Sequence, residues 1–304
     1  MGIILLIDFI YIGGFEMNLY AYLFVILAAM LWGTVGTTQA LLENVSPFSV
    51  AFIRSLIGGG VLLIGLLIMR KIDLKKWTWK WTILAAFFIA CFQVTFFHSV
   101  LYTGVAIGTV ITIGSSPIFA GVIQWLVFKQ RINRMWGIAT GLSITGVILL
   151  FTNGEVGQVD LLGVLLALVA GLLFASYTSA SKRLMEKEQP LQAVAMTFTF
   201  CALYLSPFTI QDGFGWLTIS TNIGPILFMA FAATTLAYVL FLLGLKKVSS
   251  ASAVTLSLAE PIMAALLGVI VLREHLPLIS WVGIFVILSS IIVITITDHQ
   301  TTKI

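Results

Sequence analysis

Ten apolar runs, each long enough to cross a bilayer, dominate this chain. They lie near 19–41, 48–69, 81–101, 106–128, 135–152, 161–183, 191–210, 222–243, 250–272 and 277–297. A helix needs about 20 mostly apolar residues to span hydrocarbon. No run alternates polar with apolar residues, so the pattern predicts helices and not barrel strands. Only 9% of the 304 residues are charged and 60% are hydrophobic, whereas a soluble protein carries roughly a quarter charged residues. The expected fold class is an all-α polytopic membrane protein with ten transmembrane helices in the lipid bilayer.

The second five runs repeat the first five. Residues 27–34 (LAAMLWGT) match 169–176 (VAGLLFAS), and Pro47 matches Pro190. The fullest pair is 110–130 against 254–274, where Ser115-Ser116-Pro117 stands in the place of Ala259-Glu260-Pro261. Each of these segments carries a proline that frees a carbonyl and kinks the helix, so Pro117 and Pro261 are expected kinks. Five spans are an odd number. The second copy must therefore enter from the opposite face, which is the inverted-repeat plan of secondary transporters.

The basic residues agree with that plan. Cytoplasmic loops concentrate Lys and Arg. Arg70, Lys71, Lys75, Lys76 and Lys80 follow the second run, and Lys129, Arg131 and Arg134 the fourth. Lys182, Arg183 and Lys187 follow the sixth, Lys246 and Lys247 the eighth, and Lys303 closes the chain. The other face holds only Arg273, and Arg54 lies within a run. Both termini are thus expected to be cytoplasmic. The net charge of +4 reflects orientation, and no nucleic-acid partner is expected. The expected organisation is a short extension at 1–18, a first repeat at 19–152, an inverted second repeat at 153–297 and a tail at 298–304. Residues 1–16 are too short to span, and Met17 directly precedes a full run. A translation start at Met17, with a dispensable extension, is expected.

The Trp32-Gly33 pair, Pro47 with Arg54, the two proline-centred helices and Trp281-Val282-Gly283 after Arg273-Glu274 resemble the EamA branch of the drug/metabolite transporter superfamily. The likeness covers about residues 19–297. Gln130 departs from the family's usual Glu, which Glu274 keeps. The resemblance implies a central cavity lined by helices one to four and six to nine, with helices five and ten peripheral. It also implies export of amino acids, other metabolites or drugs from a bacterial plasma membrane, driven by a proton or substrate gradient, with no cofactor.

Few residues are candidates for the site. Glu260 is the acid deepest within a run. It is expected to bind a substrate amine or exchange a proton, and the alternative is a structural acid beside Pro261. Arg54 is expected to attract a carboxylate, and otherwise snorkels to headgroups. His98 reads as a neutral interhelical hydrogen-bonding group or a cavity residue. Trp32, Trp125, Tyr177 and Tyr238 are expected to stack on a substrate or to pack. Ser115, Ser116, Gln93 and Gln124 line a polar path or bond across helices. Gly137 with Gly141, and Gly104 with Gly108, read as close helix packing, with a homodimer contact as a further expectation. Cys91 and Cys201 read as small packing residues.

Other classes lack their signatures. There is no HExxH, GxSxG or paired intramembrane Asp for an enzyme, and no charge ring or filter repeat for a channel. No ligand spacing suggests a metal. The sequence reads as an alternating-access carrier of a small molecule, for which the family resemblance implies export, with a membrane-embedded enzyme or channel as the alternative.

Overall fold

The computed structural model describes residues 17–130, 132–151, 160–209, 213–271, 273 and 275–301. The expected extension at 1–16, the repeat junction at 152–159, Arg131, Glu274 and the last three residues lie outside them. Ten helices are long and apolar enough to cross a membrane. They are α1 (Met17–Ala40), α2 (Pro47–Ile68), α3 (Trp79–Thr103), α4 (Val105–Phe128), α5 (Arg134–Phe151), α6 (Leu161–Leu184), α7 (Pro190–Thr209), α8 (Ser220–Leu245), α9 (Ser250–Ile270) and α10 (Leu278–Thr301). Among the described residues there is no strand.

Local chemistry sets the helix starts. Ser46 accepts from the Ser49 N–H at 3.2 Å and Pro47 takes the first helical position of α2. Asp160 accepts from the Leu162 N–H at 2.8 Å before α6, and Ser249 from the Ser252 N–H at 3.1 Å before α9. Each cap supplies an acceptor for a backbone donor that the first turn leaves unpaired. Pro190 opens α7 as Pro47 opens α2. A proline has no N–H to lose at that position.

The packing exchanges the two repeats. α3 lies along α6, and α8 along α1, which is the same contact with the repeats swapped. Likewise α4 packs on α6 and α9 on α1. The pairs α2 with α7, α4 with α9 and α5 with α10 join equivalent helices across the seam. Because each repeat holds five spans, the second is inverted relative to the first. The α5–α10 pair stands at the edge of the bundle. A Cβ on Gly146 would lie 2.8 Å from the Gly283 carbonyl oxygen, and one on Gly283 would lie 2.6 Å from that of Gly146. Ser143 and Ser290 share a hydroxyl hydrogen bond beside this contact.

Two glycines bring the first helix of each repeat against the proline segment of the other. A Cβ on Gly33 in α1 would lie 2.5 Å from the Glu260 carbonyl oxygen, and one on Gly171 in α6 would lie 2.9 Å from that of Thr112. The expected GxxxG at Gly137 and Gly141 does not pack within this chain, since a Cβ at either meets nothing within 4 Å. Gly108 packs on Ser99 and Thr103 of α3, while Gly104 turns the chain at φ 79°.

The two proline segments differ. Pro117 sits inside an uninterrupted α4. In α9 the residues Ser257–Ala259 form a 3-10 turn just before Glu260-Pro261. There the Glu260 N–H donates to the Ser257 carbonyl, which Pro261 has no hydrogen to bond.

Candidate functional site

A cavity of about 120 Å³ lies where α1, α2, α3, α4, α6, α8 and α9 meet. The lining repeats itself across the seam. Trp32 of α1 matches Phe174 of α6, and Ser116 of α4 matches Glu260 of α9. Phe92, Phe96 and Phe97 of α3 and Tyr238 of α8 complete an aromatic wall. Of the helices expected to line it, α7 contributes nothing to the wall and stands behind it.

Two charges share this cavity. Arg54 is 8% exposed and its Nη2 donates to Gln93 Oε1 at 2.5 Å. Gln93 is itself held from behind, because its Nε2 donates to Cys201 Sγ of α7 at 3.3 Å. An arginine only donates, so the amide oxygen must face it and the amide nitrogen must face the sulfur. Cys201, read from the sequence as mere packing, therefore orients Gln93. Glu260 has no hydrogen bond or ion pair among the described residues, although Arg54 is near enough to act on its charge. A charge buried without a partner costs several kcal/mol. The arrangement leaves a guanidinium and a carboxyl group lining one space with no contact between them.

The remaining polar groups sort clearly. Thr112 Oγ1 donates to the Ala167 carbonyl at 3.2 Å, Ser116 Oγ to Thr112 at 2.7 Å and Ser257 Oγ to Ala253 at 2.9 Å, so these hydroxyls already have acceptors. The Trp32 indole N–H is buried with no acceptor. Its ring packs on Tyr238 at 4.7 Å and on Phe174 at 5.9 Å between centroids. The cavity thus presents a carboxyl group with no hydrogen-bond partner and a guanidinium held on one side, against aromatic faces.

Six sequence candidates line this space: Trp32, Arg54, Gln93, Ser116, Tyr238 and Glu260. Three do not. Ser115 donates to the Thr112 carbonyl at 3.2 Å and abuts Gly171. Tyr177 is 1% exposed and packs behind Tyr238. His98 uses Nδ1 on the Val94 carbonyl at 2.8 Å and stacks beside Phe48. Trp125 is 60% exposed and does not line this cavity. Gln124 instead accepts from the Ala251 N–H at 3.0 Å, joining α4 to α9. The sequence reading missed Phe174, although its match to Trp32 was a usable signal.

The cavity's two ends differ. Every residue from Ser250 to Ala259 is buried, but among the described residues of the matching start of α4 only Gly108, Thr112 and Gly114 are. Near the sealed end, Lys182 Nζ donates to the carbonyls of Leu245 at 2.5 Å, Lys246 at 3.3 Å and Val248 at 2.9 Å. A cation there suits the partial negative charge of the α8 C-terminus. On the same face Glu188 Oε1 accepts from the Thr78 N–H at 2.9 Å and its hydroxyl at 2.6 Å, tying the α6–α7 loop to the start of α3. Lys246 Nζ donates to Gln189 Oε1 at 2.9 Å, and partial burial lowers its pKa from the usual lysine value.

A model of the EamA-like transporter family matches residues 19–152 and 161–296. The uncharacterized transporter YwfM of Bacillus subtilis is 43% identical over 284 residues, covering 93% of this chain and 96% of the relative. The uncharacterized inner membrane transporter YicL of Salmonella typhimurium is 26% identical over 92% of this chain and 96% of its own. A solved structure at 16% identity superposes with a TM-score of 0.80, covering 92% of this chain and 98% of that one, and so shares the fold.

Proposed function

Because the chain belongs to the EamA-like transporter family, we propose that it is an alternating-access exporter of small amino-acid-like zwitterions. The observation that carries this reading is the cavity at the seam of the two repeats, where Arg54 and Glu260 face one space without pairing. A zwitterion places its carboxylate on Arg54 and its ammonium on Glu260, and so neutralises both charges in one step. The aromatic wall receives an apolar side chain, and a volume of about 120 Å³ suits a solute of medium size. When the solute leaves, Glu260 takes a proton in place of the ammonium, which couples export to the proton gradient. Direction and coupling follow the family likeness.

The end states exchange the conformations of the two repeats about the midplane site. The buried start of α9 and the open start of α4 fit a state closed on the face of Lys182. The charge bias supports reading that face as cytoplasmic, and the family likeness supports a bacterial plasma membrane.

A stabilisation screen on the purified protein tests the solute class. A ligand at 100 times its Kd stabilises the folded state by about 2.7 kcal/mol. L-amino acids with apolar side chains are expected to stabilise, whereas the matching amines and carboxylic acids are not. Equal stabilisation by an amine alone would refute the two-charge reading.

A further inference from the structure

α2 and α8 each widen into a π turn, at Leu56–Val61 and Met229–Leu236, and the two turns touch. The Thr235 hydroxyl sits at the contact, 2.9 Å from the Gly58 carbonyl oxygen of α2 and 3.1 Å from that of Ala230 in its own helix. A Cβ on Gly58 would stand 2.7 Å from the Ala230 oxygen, and one on Gly59 would stand 2.6 Å from the Thr199 nitrogen of α7. Three helices thus meet backbone to backbone. Three successive glycines at 58–60 also make regular α geometry easy to leave, since glycine is among the least helix-favouring residues.

A π turn holds one more residue than an α turn. Losing that extra residue would rotate everything beyond it by about 100°, one step of a helix with 3.6 residues per turn. Arg54 stands two residues before the first turn and Tyr238 two residues after the second. Both line the cavity. A change in either turn would therefore rotate the part of the helix that carries Arg54 or Tyr238 relative to the part on the other side of the turn. The equivalent helices of the opposite repeats, α3 and the Pro190–Leu205 part of α7, are regular, so this contact is built on one side of the seam.

We propose that the paired π turns are a coupled hinge, and that Thr235 is the positioning residue that holds Arg54 and Tyr238 in the cavity together. The hinge rests on the carrier reading given above. Thr235 is not part of the cavity wall and acts only through the two turns.

Hydrogen–deuterium exchange on the full chain in lipid nanodiscs tests the coupling. In the wild type, 56–61 and 229–236 are expected to exchange at least about tenfold faster than 49–54 and 239–244, because strained turns open locally. Thr235→Val is expected to speed both turns together by about fivefold, the loss of one net hydrogen bond of about 1 kcal/mol. Thr235→Ser keeps the hydroxyl and is expected to stay within about twofold of the wild type. In proteoliposomes, counterflow of radiolabelled L-leucine with Thr235→Val is expected to show a half-saturation concentration raised by no more than about fivefold at an unchanged maximal rate, because saturating solute draws the molecules back to the binding-competent form and the full factor applies only where that form is the minor one. A response confined to 229–236, no response in either turn, or a lowered maximal rate overturns the proposal. A wild type without leucine counterflow counts against the solute reading alone, and the exchange comparison still decides the hinge.

Discussion

Replacing Gly33 with alanine inserts one methyl group where α1 crosses α9. Its Cβ would stand 2.5 Å from the Glu260 carbonyl oxygen and 2.7 Å from Met263 Cβ. Neither can swing away as a long side chain would. To reach the 3.4 Å of an ordinary contact the crossing must widen by about 0.9 Å, the difference between 3.4 and 2.5 Å. Overpacking of this kind costs about 1–3 kcal/mol, and blocking backbone puts this site near the upper end. Alanine in place of glycine returns about 1 kcal/mol of helix propensity. The expected net loss is about 2 kcal/mol on those two figures. Gly137→Ala is the control, since its Cβ meets nothing within 4 Å. Only the propensity gain of up to about 1 kcal/mol operates there. Denaturant unfolding in mixed micelles should therefore rank Gly33→Ala well below the wild type and Gly137→Ala level with or above it. If Gly33→Ala is as stable as Gly137→Ala, the α1–α9 crossing is not as close as described.

Lys182→Met removes the cation from three carbonyls, and should lower stability by about 1–2 kcal/mol while raising amide exchange at 243–248. Unchanged exchange there would mean that the seal does not depend on Lys182. Arg54→Ala should weaken zwitterion binding at least tenfold, since a hydrogen bond to a charged group is worth about 1.5–3 kcal/mol, with expression near normal. Full binding would make Arg54 an anchor. Glu260→Gln keeps the shape and removes the proton site, so transport by the variant should lose its pH dependence. A retained pH profile would make Glu260 structural.

The ten spans were legible because hydrocarbon imposes a length and an apolar composition on each helix. The inverted plan followed from five-span units and from the side on which Lys and Arg collect. Which face of a span points inward was far less legible. Lipid is as apolar as the core, so Trp32 and Trp125 look alike in sequence, yet one lines the cavity and the other faces outward. The same ambiguity misassigned the close contact to Gly137 and Gly141 when Gly146 and Gly283 make it. The Gln93–Cys201 bond joins residues 108 apart in sequence, and no local pattern marks it. The π turns left only a weak trace in the three glycines of α2 and none in α8.

Alternating access is the central claim, and counterflow tests it most directly. Proteoliposomes are loaded with unlabelled L-leucine and the entry of external labelled L-leucine is followed. A carrier whose one site faces each side in turn should show saturable entry that internal solute accelerates, and Arg54→Ala should raise its half-saturation concentration at least tenfold. Entry that rises linearly with concentration and ignores the internal solute would contradict the account and point to a pore.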